Sequence, residues 1–156
     1  MAYNWAHFPM TVRVEHLRSR FTPRRPPDEV IGGIENPYML RWCVLPKNRW
    51  FNFYIHLMLR SDDDRAYHDH PWPSLSFMMQ GWYWEDFPDL PSKRYSAGDA
   101  IFREAKHAHM LRMYEPVVTW FFTGPRVRDW GFILFDGSWM PWREFEERNE
   151  KHDQTV

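Results

Sequence analysis

Residues 50–59 alternate strictly between two faces, and this alternation predicts a β-strand. One face is wholly apolar and consists of Phe51, Phe53, Ile55, Leu57 and Leu59. The other face is mixed and consists of Trp50, Asn52, Tyr54, His56 and Met58. Because successive side chains of a strand point in opposite directions, the mixed face is suited to line the inside of a small ligand-holding barrel. The alternative is that it packs outward against a second protomer.

Similar short runs recur along the chain at a spacing of about 8–12 residues, with turn residues between them. They cover residues 38–45, 74–84, 100–103, 109–113, 117–123 and 130–135. The chain has 10 Trp, 12 Phe and 7 Tyr, which favour strands, and 13 Pro, which cut a chain into short elements. This pattern predicts an all-β double-sheet sandwich or barrel.

The length of 156 residues fits one domain. We expect an irregular N-terminal arm over residues 1–36, a barrel over residues 37–142 and a C-terminal tail over residues 143–156. The arm contains three prolines within residues 22–27, which forbid regular pairing there. The tail is highly charged and carries Phe145, which predicts a short helix.

Charge and cysteine content narrow the partners and the location. The formal net charge of −1 gives no electrostatic reason to expect nucleic acid or an anionic membrane as a partner. Cys43 is the only cysteine, so it cannot form an internal disulfide and suits a reducing compartment. Residues 1–21 have no continuous apolar run, so neither a signal peptide nor a membrane span is expected. The expected location is cytoplasmic.

Two histidine clusters point to chemistry. One is His68-Asp69-His70 and the other is His107-Ala108-His109. In a strand, residues i and i+2 project from one face at a spacing of roughly 6–7 Å, so one metal ion can bridge both imidazoles of the first cluster. A third imidazole from the second cluster, brought alongside by sheet pairing, would complete the set. Imidazole suits zinc, iron, copper and nickel, so we predict a transition-metal site.

These clusters resemble the two motifs of the cupin superfamily. In the first motif His-x-His precedes a glycine, and here Gly81 lies eleven residues after the cluster. Residues 98–109 resemble the second motif, in which a Gly-Asp turn leads into a strand and then to one metal-binding histidine. The resemblance assigns the ligand position to His109 and the preceding corner to His107. It covers residues 49–135 and is greatest to small bacterial and phage-encoded cupin proteins of unassigned function.

Two parts of the pattern differ from the superfamily. Ser74 occupies the position of a glutamate in the first motif. Glu104 and Lys106 occupy the positions of a proline and a glycine in the second. Without the glutamate, the resemblance implies a site with three histidine ligands, similar to those of thiol dioxygenases and gentisate-type dioxygenases. The expected ligands are His68, His70 and His109.

The resemblance implies a cupin-type double-stranded β-helix with one divalent transition metal. Fe(II) is favoured, and Zn, Mn, Ni and Cu are the other candidates. Three protein ligands leave positions open, so the leading expectation is an Fe(II)-type oxygenase that acts on a small molecule. His56 on the mixed face is a candidate proton donor, and Tyr54 is a second candidate catalytic residue.

Other readings stay open on sequence grounds. The barrel could be a non-catalytic module that binds a sugar, a nucleotide or another metabolite. It could also be a metal-independent sugar-nucleotide epimerase, with His70 and Tyr54 as the acid–base pair. His107 could replace His109 as the third ligand. A homodimer is compatible with the fold, because edge strands of such barrels often pair.

Several charged residues are expected to lie outside the functional site. Asp69 lies between two predicted ligands and is expected to point away from them in a structural role. Arg103 and Arg112 are expected to be solvated on the barrel exterior rather than to bind an anionic substrate. The acidic run at residues 62–64 is expected to be a solvated loop, because it lacks the ligand spacing of a calcium-binding loop.

Overall fold

The computed structural model describes residues 19–62, 66–134 and 136–153, with side chains described up to residue 148. In this part of the chain strands dominate and one helix closes the sequence, which confirms the predicted all-β class. The first six strands are β1 (Glu29–Ile31), β2 (Met39–Cys43), β3 (Asn52–Met58), β4 (Tyr67–His68), β5 (Ser74–Gln80) and β6 (Trp82–Asp86). The others are β7 (Lys93–Ser96), β8 (Ala100–Arg103), β9 (Met110–Arg112), β10 (Val117–Thr123), β11 (Gly131–Ile133) and β12 (Trp139–Pro141). The helix α1 spans Trp142–Asp153, at the charged C-terminal tail for which the sequence predicts a short helix.

The strands form three antiparallel sheets. The largest has six strands in the order β1-β2-β3-β10-β5-β8. The two smaller sheets have the orders β7-β6-β9 and β12-β11-β4. The main core lies between the large sheet and the β7-β6-β9 sheet. Its buried side chains are Met39, Met58, Met78, Tyr83, Ile101, Leu111, Met113 and Val117.

The two faces of β3 divide as their alternation predicts. Ile55 and Leu57 pack on the outer face of the large sheet, in a second cluster with Leu40, Trp42 and Val118. His56 and Met58 point the other way and line an internal cavity. The mixed face of this strand therefore looks into the barrel.

The segment before β2 covers part of the outer face. Phe21 and Val30 pack against the outer cluster, and the Trp42 indole donates a hydrogen bond to the Arg25 carbonyl at 2.9 Å. The predicted arm thus contributes a strand, because β1 pairs with β2. Residues 1–18 lie outside the described part. No helix in the described residues is long and apolar enough to cross a bilayer.

Gly81 makes the turn that joins β5 to β6. Its φ angle is +78°, a conformation that residues with a side chain rarely adopt. A Cβ at this position would lie 2.8 Å from the carbonyl oxygen of Pro116. The turn carries the chain from the large sheet into β6, which holds Tyr83 and Glu85 in the core.

Candidate metal centre

His68 and His109, one from each histidine cluster, are paired through their main chains. The His68 amide donates to the His109 carbonyl at 2.9 Å, and the His109 amide donates to the His68 carbonyl at 3.0 Å. This antiparallel bridge sets the two imidazole centroids 4.8 Å apart, with the rings nearly perpendicular. Sheet pairing therefore brings the two clusters together, as the sequence predicts.

His70 completes the group from a position just beyond β4. Its amide donates to the Ala105 carbonyl at 2.9 Å, which fixes the chain after the strand ends at His68. Its ring centroid lies 5.1 Å from those of His68 and His109. One ring nitrogen from each histidine lies within 4.8 Å of those of the other two. The three predicted ligands thus converge, although His70 is not part of the strand.

Carboxylates stand behind two of these imidazoles. The Nε2 atoms of His70 and His109 lie 3.3 Å apart, while the opposite nitrogen of His109, Nδ1, lies 2.8 Å from Glu85 Oε1. The contact between His109 Nδ1 and Glu85 Oε1 is short, but it is poorly aligned for a hydrogen bond. His109 Nδ1 therefore has no hydrogen-bond partner among the described residues. His68 Nδ1 lies 3.7 Å from Asp62 Oδ2. Metal-binding histidines commonly have a carboxylate on the nitrogen that faces away from the ion.

Glu85 is itself held by Arg103. Arg103 donates to Glu85 through Nε at 2.6 Å and through Nη2 at 2.7 Å. Further bonds run from Nη2 to Tyr83 Oη at 2.9 Å and from Nη1 to Ser76 Oγ at 3.3 Å. The expectation that Arg103 is solvated on the exterior is wrong, because only 4% of the residue is exposed. Its position on β8 shares the inward face with Ile101.

Arg112 and Asp69 lie in the environments that the sequence predicts. Arg112 is paired with Asp86 and its side chain is 40% exposed. Asp69 is buried and has a structural role. It accepts hydrogen bonds from the Gly131 amide at 2.8 Å and the Trp139 indole at 3.0 Å, and it forms an ion pair with Arg128.

A second group, Glu85 with His107 and His109, also places three potential ligands close together. His107 Nε2 lies 3.7 Å from Glu85 Oε1. However, both Glu85 oxygens already accept hydrogen bonds from the Arg103 guanidinium, whose charge opposes a cation at that point. The cluster of His68, His70 and His109 is therefore the better metal site.

Burial keeps the inner histidines neutral. It lowers the pKa of His70 well below 6.5, and the neighbouring imidazoles of His68 and His109 lower it further. Burial likewise lowers the pKa of His109 to about 4, despite the opposing contact with Glu85. Burial alone would raise the pKa of Glu85, but His109 and Arg103 together lower it to about 2. At neutral pH the imidazoles of His70 and His109 are thus free to bind a metal, and Glu85 is an anion.

The three histidines open onto a cavity of about 110 Å³. Apolar and aromatic side chains form much of its wall, including those of Met39, Met58, Trp72, Leu111 and Phe121. His56 lines the cavity, as the face of β3 predicts, and its Nε2 accepts a hydrogen bond from Arg41 Nε at 3.0 Å. Tyr54 is not among the lining residues; its ring stacks on His56, and the Arg41 guanidinium lies over the Tyr54 ring.

Ser74 is buried at the start of β5, where the family motif has a glutamate. Its hydroxyl has no hydrogen-bond partner within the described structure, and it does not line the cavity. Ser76, two residues later on the same face, does line it. Neither side chain supplies a carboxylate, so in the described residues no acidic group joins the three histidines around the cavity.

A larger depression of about 340 Å³ lies elsewhere. Its wall is largely aromatic, with Phe51, Phe77, Phe102 and Phe122 among its residues. It shares no lining residue with the histidine cavity and contains no titratable side chain.

Sequence reasoning missed Glu85, Asp62 and Arg41 as parts of the site. A signal for Glu85 was present, because it shares one face of β6 with the buried Tyr83. Arg103 likewise shares the inward face of β8 with Ile101, because the two residues are two positions apart. Two buried charges of opposite sign on inward positions predict an ion pair. No comparable signal marks Asp62, which lies in a loop. The expectation that it is solvated is wrong, because its side chain is only 10% exposed and accepts a hydrogen bond from the Leu111 amide at 2.6 Å.

Comparisons with known proteins bear on the fold. The sequence matches no protein-family model and no curated protein. Among solved structures, the DMSP lyase DddQ from Ruegeria pomeroyi DSS-3 superposes with a TM-score of 0.52 and 18% sequence identity. That match covers 65% of this chain and 54% of the DddQ chain, so it spans about half of DddQ.

Two other solved structures give slightly lower TM-scores. A cupin-like protein from Thermotoga maritima MSB8 gives a TM-score of 0.49 at 10% identity, covering 62% of this chain and 76% of that one. KdgF from Halomonas sp. gives 0.48 at 19% identity, covering 60% and 85%. The DddQ match, at 18% identity, shows similarity of fold alone.

Proposed function

We propose that this chain, which has the double-stranded β-helix fold of the cupin superfamily, is a metal-dependent enzyme that acts on a small molecule. The observation that carries the proposal is the convergence of His68, His70 and His109 on one cavity, with one ring nitrogen from each within 4.8 Å of the others. The reaction class we propose is oxygenation at an Fe(II)-type centre.

The donor set fits a divalent transition metal. Imidazole is a ligand for such ions, and three protein ligands leave coordination positions open. The carboxylates of Glu85 and Asp62 lie behind His109 and His68, where they can fix the orientation of each ring. A hard cation such as Ca²⁺ prefers oxygen ligands, which this group does not supply.

The residues of the chain have separable roles in this proposal. The three histidines hold the ion, and Glu85, fixed by Arg103, orients His109. The apolar wall around Trp72 and Phe121 limits water in the cavity. A bound divalent ion would supply Lewis acidity and, if it is iron, a centre able to activate dioxygen. His56, which reaches the cavity, is placed to hold a proton near the substrate.

The structure gives less support to the other readings. An epimerase that uses His70 and Tyr54 needs both side chains at the substrate, and Tyr54 does not line the cavity. A binding barrel without catalysis shares the same cavity and differs only in reactivity. The lyase activity in the name of DddQ belongs to that protein, and for this chain a lyase reaction is an alternative to oxygenation.

The test uses metal-free protein titrated with Fe(II) without oxygen and then exposed to nitric oxide, a stable substitute for dioxygen. The proposal predicts stoichiometric iron binding and the electron paramagnetic resonance signal of a high-spin iron–nitrosyl species. His109→Ala should abolish both, whereas His107→Ala, the matched control, should retain both. Absence of iron binding in the wild type would contradict the Fe(II) centre, and absence of zinc binding as well would contradict the metal proposal. Iron binding without a nitrosyl signal would contradict the oxygenase assignment.

A further inference from the structure

We infer that the histidine cavity binds a small organic acid and that Arg41 and His56 together hold its carboxylate. The inference names the substrate class of the proposed enzyme and so rests on the proposed function. It is carried by the charge balance of the cavity and by unused hydrogen-bond donors on its wall.

In the described residues the cavity wall carries two arginines, Arg41 and Arg103, and no carboxylate. Three neutral imidazoles would leave part of the charge of a divalent ion uncompensated, because Glu85 is already paired with Arg103 and Asp62, behind His68, supplies one negative charge. Uncompensated charge in a confined apolar cavity is costly. An anionic ligand removes this cost, whereas a neutral ligand does not.

The two arginines differ in their hydrogen bonds and in their charge balance. Arg103 uses four of its five N–H donors, because Glu85, Tyr83 and Ser76 engage all three of its side-chain nitrogens. Its charge is cancelled by Glu85, which is fully buried behind the wall. Arg103 therefore serves the frame of the site and keeps at most one Nη1 donor for a ligand.

Arg41 differs in both respects. Its Nε donates to His56 and its Nη1 donates to Glu29 Oε2 at 3.1 Å, while Nη2 has no hydrogen-bond partner among the described residues. Glu29 also pairs with Lys47, so one carboxylate is shared by two cations. The group formed by Glu29, Arg41 and Lys47 thus has one net positive charge.

His56 supplies a second donor beside Arg41. Arg41 on β2 and His56 on β3 are direct cross-strand partners. The same cross-strand row includes Glu29 on β1 and Thr119 on β10. Because His56 Nε2 accepts the hydrogen bond from Arg41, a neutral ring carries its proton on Nδ1. Burial and Arg41 both lower the pKa of His56 well below 6.5, which supports the neutral form. No described group accepts a hydrogen bond from this Nδ1.

The size of the cavity restricts the acid. Pockets for drug-sized ligands have volumes of about 300–1,000 Å³, whereas this cavity has about 110 Å³. A molecule of a few heavy atoms with one carboxylate fits this space and matches two donors with two oxygens. The Arg41 guanidinium is held in place by Glu29, His56 and the Tyr54 ring, so it is already oriented for such a contact.

The experiment measures acetate binding by ligand-observed NMR, with acetamide as the neutral molecule of the same shape. Wild-type protein is used both metal-free and loaded with Zn²⁺. We expect saturable acetate binding that is tighter with Zn²⁺ and no acetamide binding at the same concentrations. Arg41→Gln should weaken acetate binding at least about tenfold, the loss of one charge-assisted contact. Arg112→Gln, which removes an arginine that pairs with Asp86 and does not line the cavity, should bind acetate as the wild type does.

Folding and specificity are controlled separately. Arg41→Lys keeps the charge but not the fork of donors, so it should fold normally and bind acetate more weakly than wild type. Equal binding of acetate by Arg41→Gln, or of acetamide by the wild type, would overturn the inference. Equal binding of inorganic phosphate would also overturn it, because it would indicate a site for any anion. If Zn²⁺ has no effect while Arg41 still governs acetate binding, the inference holds and the proposed metal function fails.

Discussion

Glu85 and Arg103 form a two-point ion pair directly behind His109, and both side chains are almost completely buried. The pair links the frame of the barrel to the candidate metal centre, because the same Glu85 oxygen, Oε1, lies 2.8 Å from His109 Nδ1. A change at either residue should therefore act on the site through His109.

Replacing Glu85 with glutamine should weaken metal binding by about 10- to 100-fold, the usual effect of losing such a supporting carboxylate. Glutamine keeps the shape and can still accept a hydrogen bond from Arg103. The dissociation constant for Zn²⁺, measured by competition with a chromophoric chelator, is the readout. Asp86→Asn is the matched control, since Asp86 is the next residue and pairs with Arg112 away from the histidines. Unchanged affinity in Glu85→Gln would show that Glu85 does not support the site.

Replacing Arg103 with methionine should destabilise the fold by about 3–5 kcal/mol, because it leaves the buried Glu85 without its partner. Arg112→Met removes an ion pair whose arginine side chain is 40% exposed and should cost less than about 1 kcal/mol. Urea unfolding of the metal-free proteins measures both. The double variant Arg103→Met with Glu85→Gln should recover part of the lost stability. Equal effects of the two single arginine variants would contradict a structural role for the buried pair.

His56 should make the metal-free protein less stable in mild acid. Its pKa in the folded state lies well below 6.5, whereas the unfolded chain binds a proton near pH 6.5. As the pH falls below about 6.5, the unfolded state gains protons first, and stability falls by up to about 1.4 kcal/mol per pH unit from this residue. His56→Gln should reduce the slope of unfolding free energy against pH between about 6.5 and 5. His107→Gln, whose side chain is 34% exposed, is the control. A slope unchanged by His56→Gln would contradict the buried, neutral state of this residue.

Much of the fold follows from local pattern. The alternation over residues 50–59 predicts both the strand β3 and the inward direction of His56, because side-chain direction in a strand depends only on parity. The convergence of the two histidine clusters was also predictable, since it needs only one antiparallel contact. The structure places that contact between His68 and His109.

The supporting residues were harder to predict because they depend on pairings between distant parts of the chain. Glu85 meets Arg103 only because β6 and β8 belong to different sheets that face each other across the core. Arg41 reaches His56 through the register of β2 with β3. His70 departs from the expected strand geometry because the chain leaves β4 after His68, where Asp69 binds the Gly131 amide. The cytoplasmic location and the homodimer remain predictions.

The most direct test of the central claim is the metal content of protein purified without added metal or chelator, followed by reconstitution of the metal-free form. The account predicts one transition-metal ion per chain in the reconstituted wild type. It predicts loss of stoichiometric binding in both His68→Ala and His109→Ala, and full binding in His107→Ala. Retention of one ion per chain by His109→Ala, or a wild-type protein that takes up neither iron nor zinc, would contradict it.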